Sequence, residues 1–339
     1  MREALCFDDF LLVPKHSTVQ SRHDVRLTMM IGVGKRAISL YTPVIAAPMD
    51  TVCDVEMCKA MAIRGGLGIL HRYMSYEDQV AKAKDLVDEK YGFGVAIPSN
   101  NGFLDQAKKL YDVGVKVLLV DTANGHSDYA INAVYKLRQL FDDVHIMAGN
   151  VATYDGFARL ADAGADSVRV GIGGGSACTT RIVSGHGVPT ADSISRISDE
   201  NEYDCSVIAD GGIRNSGDMV KAFALGADAV MVGSMLAGTD ESPGEMFESN
   251  GVAVKHFRGM ASSNAQLDFS GKSSVSEGVS TTIPYKGSVN QIIDQIRGGL
   301  GSGCSYSGVS NLEDLYESSE AVRVSALSIN ESKPHALMV

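Results

Sequence analysis

The chain has 339 residues, a formal charge of -11 and 45% hydrophobic residues, enough for a large core, and charged residues at 21% give no sign of global disorder. The acidic balance argues against nucleic acid or an anionic membrane as main partner, although loop amides and helix N-termini bind phosphate without any net positive charge. No apolar run approaches the length of a membrane span, and Met1 to Phe10 lacks a basic n-region followed by an apolar h-region, so neither a spanning helix nor a signal peptide is expected.

Eight short apolar runs recur along the chain, each ending in polar or glycine residues: Pro43–Asp50, Gly65–His71, Phe93–Ile97, Val115–Asp121, His145–Val151, Val168–Gly173, Val207–Gly212 and Ala229–Ser234. Runs of this length without alternation, rich in Val, Ile, Leu and Ala, indicate strands buried on both faces. The stretches between them carry helical spacing, as in Leu104, Ala107, Lys108 and Tyr111, or Ala130, Val134, Leu137 and Leu140. Before three of the runs a glycine stands where a helix should stop, at Gly114, Gly164 and Gly226. Eight alternations of β and α predict a closed (β/α)8 barrel, an α/β TIM barrel, with a doubly wound open sheet as the alternative. The expected organisation is one barrel domain over residues 1–339.

Barrel active sites lie at the C-terminal ends of the strands. Those ends hold Asp50, His71, Asp121, Asn150, the Gly173 loop, Asp210 with Gly211 and Gly212, and Gly233 with Ser234. The sixth run leads into Gly171-Ile172-Gly173-Gly174-Gly175-Ser176-Ala177-Cys178-Thr179-Thr180-Arg181. Four glycines there remove Cβ atoms that would hold a ligand away from the backbone, and free N–H groups in such a loop cradle an anion. Cys178 stands where a bound phosphorylated molecule can reach it, which suits a nucleophile, whereas the bland alternative is a buried inert thiol. The six cysteines (6, 53, 58, 178, 205 and 304) show neither zinc-finger nor disulfide-framework spacing, which fits reduced thiols in a cytosol. The glycines after runs seven and eight are where phosphate-binding barrels commonly hold phosphate.

From about Ser242 the pattern changes. Residues 251–286 are rich in Ser, Gly and Thr with little periodicity, which predicts a long mobile lid after strand eight. Asn290 to Leu300 returns to helical spacing, and the last 20 or so residues resemble a tail.

The motifs Ala47-Pro48-Met49-Asp50-Thr51-Val52, Gly65 to His71, Ala148-Gly149-Asn150-Val151, Gly171 to Arg181, Asp210 to Arg214, Arg258-Gly259-Met260 and Pro284-Tyr285-Lys286-Gly287 occur in one order. Together they resemble the IMP dehydrogenase and GMP reductase family over roughly residues 5 to 310. The resemblance implies a purine nucleoside monophosphate, GMP or IMP, as substrate, a nicotinamide cofactor and a cytoplasmic homotetramer. It implies that Cys178 attacks C2 of the purine, that Asp210 holds the ribose hydroxyls, and that Ser176, Gly212, Gly233 and Ser234 hold the phosphate, with Gly259 and Met260 also on the substrate side. The nicotinamide side would comprise Asp121, Ala123, Asn124, Gly125, Asn150 and Gly171. A monovalent cation such as K+ would sit on the carbonyls of Gly173, Gly175 and Cys178. Gly174 departs from the family, which commonly has proline there.

Within the family, the resemblance lies closer to the reductase, which would use NADPH to convert GMP to IMP with release of ammonia. Between Met260 and Glu277 there is no arginine and no tyrosine, so the pair that activates water in the dehydrogenases is missing. Thr180 and Glu277, in Ser276-Glu277-Gly278, match the reductase proton relay. Only about 20 residues separate His71 from Phe93, so no regulatory nucleotide-binding insert is expected there. Arg72 replaces a lysine found near the base in reductases; it keeps the charge but does not deprotonate. Ser274 stands where many reductases have arginine. His71 and His126 suit structural hydrogen bonding better than acid–base work. The alternatives are a dehydrogenase without regulatory modules, converting IMP to XMP with NAD, and a catalytically silent nucleotide-binding scaffold.

Overall fold

In the computed structural model, which describes residues 1–100 and 102–333, eight parallel strands pair in sequence and the last returns to the first. They are β1 (Val44–Ala46), β2 (Leu67–Leu70), β3 (Phe93–Ile97), β4 (Val117–Asp121), β5 (His145–Val151), β6 (Ser167–Val170), β7 (Ser206–Asp210) and β8 (Ala229–Val232). β8 pairs with β1 through Val230–Val44, Met231–Ile45 and Val232–Ala46, which closes the barrel and excludes the open sheet. The helices are α1 (Val55–Ile63), α2 (Tyr76–Asp88), α3 (Phe103–Asp112), α4 (Asp128–Leu140), α5 (Tyr154–Asp162), α6 (Thr190–Glu200), α7 (Ser216–Ala224) and α8 (Val289–Tyr306).

The strands show no alternation because both of their faces are covered. Ile45, Leu67, Ile69, Leu119, Met147, Ile208 and Met231 fill the barrel interior, closed from below by Ile31 and Leu40 of an antiparallel N-terminal hairpin. Their neighbours Val44, Leu70, Val95, Leu118, Val120 and Val168 face the helix layer. Phe157 on α5 and Phe223 on α7 are among the largest fully buried side chains there, and truncating either to alanine should cost about 3–5 kcal/mol. The three helix-stop glycines behave alike. Gly114, Gly164 and Gly226 all have φ near +100°, and the residue after each donates back to the last turn: Val115 to Leu110, Ala165 to Leu160 and Ala227 to Ala222.

Two expectations need correction. Residues 251–286 are not an irregular excursion: β9 (Met246–Ser249), β10 (Val252–Arg258) and β11 (Ser280–Pro284) form an antiparallel sheet, with a helix over Ser263–Ser270. The strand period of β10 is hidden because Lys255 is buried, its ammonium bonded to the carbonyls of Thr239 and Ser242. The C-terminal stretch is also not merely a tail, since Ala321–Arg323 pairs with Phe10–Leu12, outside the barrel. The run between β2 and β3 holds α2 and nothing larger.

Candidate active site

A cavity of about 390 Å3 opens at the C-terminal ends of the strands, within the range of about 300–1,000 Å3 usual for small-ligand sites. Its walls come from the loops after β1, β2 and β4 to β8, and from Phe257, Gly259, Met260 and Glu277 of the lid.

The cysteine loop leaves β6 through Gly171, where φ is +149° and a Cβ would stand 1.8 Å from the Asp210 carbonyl oxygen. Only glycine lets the loop pass so close to the end of β7. The Cys178 N–H donates to the Gly175 carbonyl at 3.0 Å, folding the loop back so that the half-buried, free thiol faces the cavity. Cys178 Sγ donates to Thr180 Oγ1 at 3.2 Å, and that hydroxyl donates to Glu277 Oε2 at 2.8 Å. The lid is stitched to this loop by backbone bonds, Thr179 N–H to Glu277 O (2.9 Å) and Val279 N–H to Ala177 O (3.0 Å). The carboxylate is therefore fixed by main chain rather than by a free loop.

The cavity that the thiol faces is also lined by residues with unengaged amides. Among the described residues, no acceptor takes the N–H of Ser176, Gly212, Gly233 or Ser234, and the Ser176 hydroxyl also has no partner. All four residues line the cavity. Unengaged amides lining one cavity are able to bind an anion. Gly174 has a local reason: a Cβ there would lie 2.7 Å from Thr190 Oγ1, a buried hydroxyl without a partner among the described residues. The loop glycine and Thr190 are thus fitted to one another, and a larger residue at 174 requires Thr190 to give way.

The floor is an ion network. Arg72 Nε donates to Asp121 Oδ2 (3.0 Å), Arg169 Nη1 to Asp121 Oδ1 (2.7 Å), and Arg169 Nε and Nη2 to Asp210 Oδ2 (3.0 and 2.9 Å). Asn150 Nδ2 reaches the same Asp210 oxygen at 2.8 Å and the Gly171 carbonyl at 2.9 Å. Among the described residues all the Asp210 side-chain bonds fall on Oδ2, and Oδ1 takes none. Burial would raise the Asp121 pKa, but Arg72 and Arg169 outweigh it and hold the carboxyl below its usual value. Burial likewise works against the charge on Arg72, and Asp121 and the Tyr73 ring, 4.9 Å away, reverse that.

The structure brings together Cys178, Thr180, Glu277, Arg72, Ser176, Asp210, Gly212, Gly233, Ser234, Gly259, Met260, Asp121, Ala123, Asn150, Gly171, Gly173 and Gly175 around the one cavity. Asn124 and Gly125 do not line it: Asn124 Oδ1 accepts from His126 N–H, and Gly125 N–H donates to the Asn150 carbonyl. They shape the turn after β4 from behind. His71 Nδ1 accepts from Tyr73 N–H while its Nε2 faces Asp54, and His126 faces Asp155 at 3.1 Å, so both rings are engaged structurally. Arg169 was not legible in advance, because a charged residue inside a buried strand resembles a patterning defect until its two carboxylate partners are located. Tyr73, whose hydroxyl donates to the Met260 carbonyl at 3.1 Å and so ties the β2 loop to the lid, left no signal either.

The chain matches the IMP dehydrogenase / GMP reductase domain over residues 4–335. It belongs to that family. An inosine-5'-monophosphate dehydrogenase of Aquifex aeolicus is 44% identical over 477 residues, covering 100% of this chain and 96% of that protein. The dehydrogenase of Cryptosporidium parvum is 34% identical over 388 residues, covering 98% of this chain and 95% of its own. Among solved structures, a GMP reductase from Trypanosoma brucei in complex with guanosine 5'-monophosphate superposes with a TM-score of 0.92 at 30% identity, covering 99% of this chain and 98% of that one. A family oxidoreductase with a barrel fold is therefore established for this chain. Among the described residues no helix is long and apolar enough to cross a membrane, and no group of three His, Cys, Asp or Glu side chains could hold a metal ion.

Proposed function

We propose that this protein is a GMP reductase, which reductively deaminates GMP to IMP and releases ammonia with NADPH as reductant. The observation that carries the reading is the directed chain from the Cys178 thiol through Thr180 to Glu277. A thiol proton passing to Thr180, with the threonine proton moving on to Glu277, leaves a thiolate beside the purine site. That thiolate forms a bond to C2 of GMP. The C2–amino bond then breaks, and the proton held on Glu277 returns through Thr180 to the departing ammonia. NADPH, when bound, supplies the hydride that reduces C2. Cys178 is released as thiolate when its bond to the reduced carbon breaks.

Substrate binding follows from the remaining walls. The free amides of Ser176, Gly212, Gly233 and Ser234 receive the phosphate, and Asp210 Oδ1 receives the ribose hydroxyls. Gly259 and Met260 cover the base. Asp121, Ala123, Asn150 and Gly171 form the nicotinamide side, with Arg72 and Arg169 keeping Asp121 ionised. The carbonyls of Gly173 and Cys178 accept no hydrogen bond from the described residues, and with Gly175 they are an oxygen donor set suited to a monovalent cation such as K+. A cytoplasmic homotetramer belongs to the same reading.

The second reading is an IMP dehydrogenase, favoured by the names of the sequence relatives. Chain length does not separate the two, because the Cryptosporidium parvum relative aligns over only 388 residues. The lid does. Arg258 is occupied by Asp50 and Asp268, and Tyr73 by the Met260 carbonyl, so neither supplies the water-activating pair that a dehydrogenase needs. The deciding experiment is to mix the protein with GMP and NADPH, and separately with IMP and NAD, following cofactor absorbance and released ammonia. Rapid XMP formation without ammonia release from GMP would install the dehydrogenase reading.

A further inference from the structure

We propose that Lys286 is a positioning residue for the turn after β8, holding its carbonyls outward so that its amides face the substrate phosphate. This rests on the reading above that a nucleoside monophosphate places its phosphate at Gly233 and Ser234. Lys286 Nζ donates to the Ser234 carbonyl at 2.6 Å and to the Met235 carbonyl at 3.1 Å. Gly233 and Ser234 line the cavity and Lys286 does not, so the ammonium lies on the far side of the turn. In a trans peptide the C=O and the following N–H point in opposite directions. With Ser234 C=O turned to the lysine, Met235 N–H points away from the lysine, and no described residue accepts from it.

The rest of the turn is consistent. The Gly233 carbonyl accepts from Leu236 and Ala237, so none of the three carbonyls from 233 to 235 is left to face an anion. The charge of Lys286 is also uncompensated. No carboxylate lies within ion-pair distance of it among the described residues, and burial pushes its pKa down. The arginines lining the cavity differ in this respect: Arg72 and Arg169 are paired with Asp121 and Asp210, and Arg214 with Asp8 and Asp218. A phosphate on the other side of the turn is the anion that this ammonium lacks. Lys286 also lies two residues after the end of β11, and its own N–H donates to the Gly238 carbonyl at 2.8 Å, so the return leg of the lid and the turn are fixed together.

The test compares wild type, Lys286→Met and Lys286→Gln by calorimetric binding of GMP, IMP and guanosine, with steady-state kinetics alongside. Methionine keeps the length and loses every donor, while glutamine keeps one donor and covers the case in which methionine does not fold. The expected result is about 10- to 100-fold weaker binding of GMP and IMP by the methionine variant, the order carried by hydrogen bonds to a charged group. The glutamine variant should be intermediate, guanosine binding should change less than about two-fold, and KM should rise while kcat holds. Equal loss for guanosine and GMP, or unchanged GMP binding by either folded variant, would overturn the assignment. Wild-type protein that binds neither GMP nor IMP would instead defeat the underlying functional reading.

Discussion

Thr180 donates its hydroxyl hydrogen to Glu277 at 2.8 Å, joining two residues that lie 97 positions apart in the chain. The contact exists because the lid's backbone is bonded to the cysteine loop on both sides of Glu277, through Thr179 and Val279. The hydrogen-bonded chain from Cys178 through Thr180 to Glu277 is thus held by main-chain bonds between lid and loop.

Replacing Glu277 with glutamine keeps the size and one acceptor but removes the ability to take a proton. Ammonia release from GMP should fall about 100- to 10,000-fold, the usual range for a lost general acid–base group, with little change in GMP affinity. Thr180→Val should show a similar loss, and the double variant should be scarcely worse than either single one. Additive losses measured by NADPH oxidation would mean that the two side chains do not share one relay.

Cys178→Ala should abolish turnover while nucleotide binding persists, because no other group stands where it can form the bond to C2. Stopped reactions of the wild type, examined by intact-protein mass spectrometry, should show a purine adduct on Cys178. A variant keeping a tenth of the rate would remove covalent catalysis from the account.

Arg169→Met should destabilise the fold by about 3–5 kcal/mol, since it leaves Asp121 and Asp210 buried without their shared cation. Thermal unfolding measures this, and ligand protection by GMP should shrink in parallel because Asp210 loses its orientation. A melting temperature equal to wild type would show that Arg72 and Asn150 suffice.

Asp166 and Asp228 occupy equivalent places, each directly after a Gly-Ala pair and each accepting from the amide of the second residue of the neighbouring strand, Ile146 and Val207, at 2.7 Å. Asp166 also has Arg36 and Arg138. Among the described residues Asp228 has no cation beside it, and burial raises its pKa to about 6 against the partial relief of the Val207 and Ser206 hydrogen bonds. A carboxyl with a raised folded-state pKa contributes stability below its unfolded value near 3.8, and that contribution is lost as pH rises through about 6. Asp228→Asn should therefore match wild type near pH 4 and exceed it above pH 6, by roughly 2 kcal/mol after allowing for partial exposure. Melting curves across that pH window would show the gap opening, and a constant gap would refute it.

The barrel was legible in the residues because its determinants are local and repeated. Doubly buried strands need unbroken apolar runs, and helices that must stop before a strand need a left-handed residue, which Gly114, Gly164 and Gly226 supply. Cys178, Asp210 and the glycine clusters were legible for a similar reason, since each sits at a strand end where the fold places chemistry. The lid sheet was not, because Lys255 interrupts the apolar pattern of β10 and takes its partners, the carbonyls of Thr239 and Ser242, from outside the strand. Nor was Arg169, whose charge is tolerable within β6 only because Asp121 of β4 and Asp210 of β7 converge on it from other strands. The chain by itself determined which residues could do the chemistry and the order in which they arrive at the barrel mouth. Tertiary structure decided which of them meet, because a buried charge is stable only beside its partner and a proton moves only across a hydrogen bond.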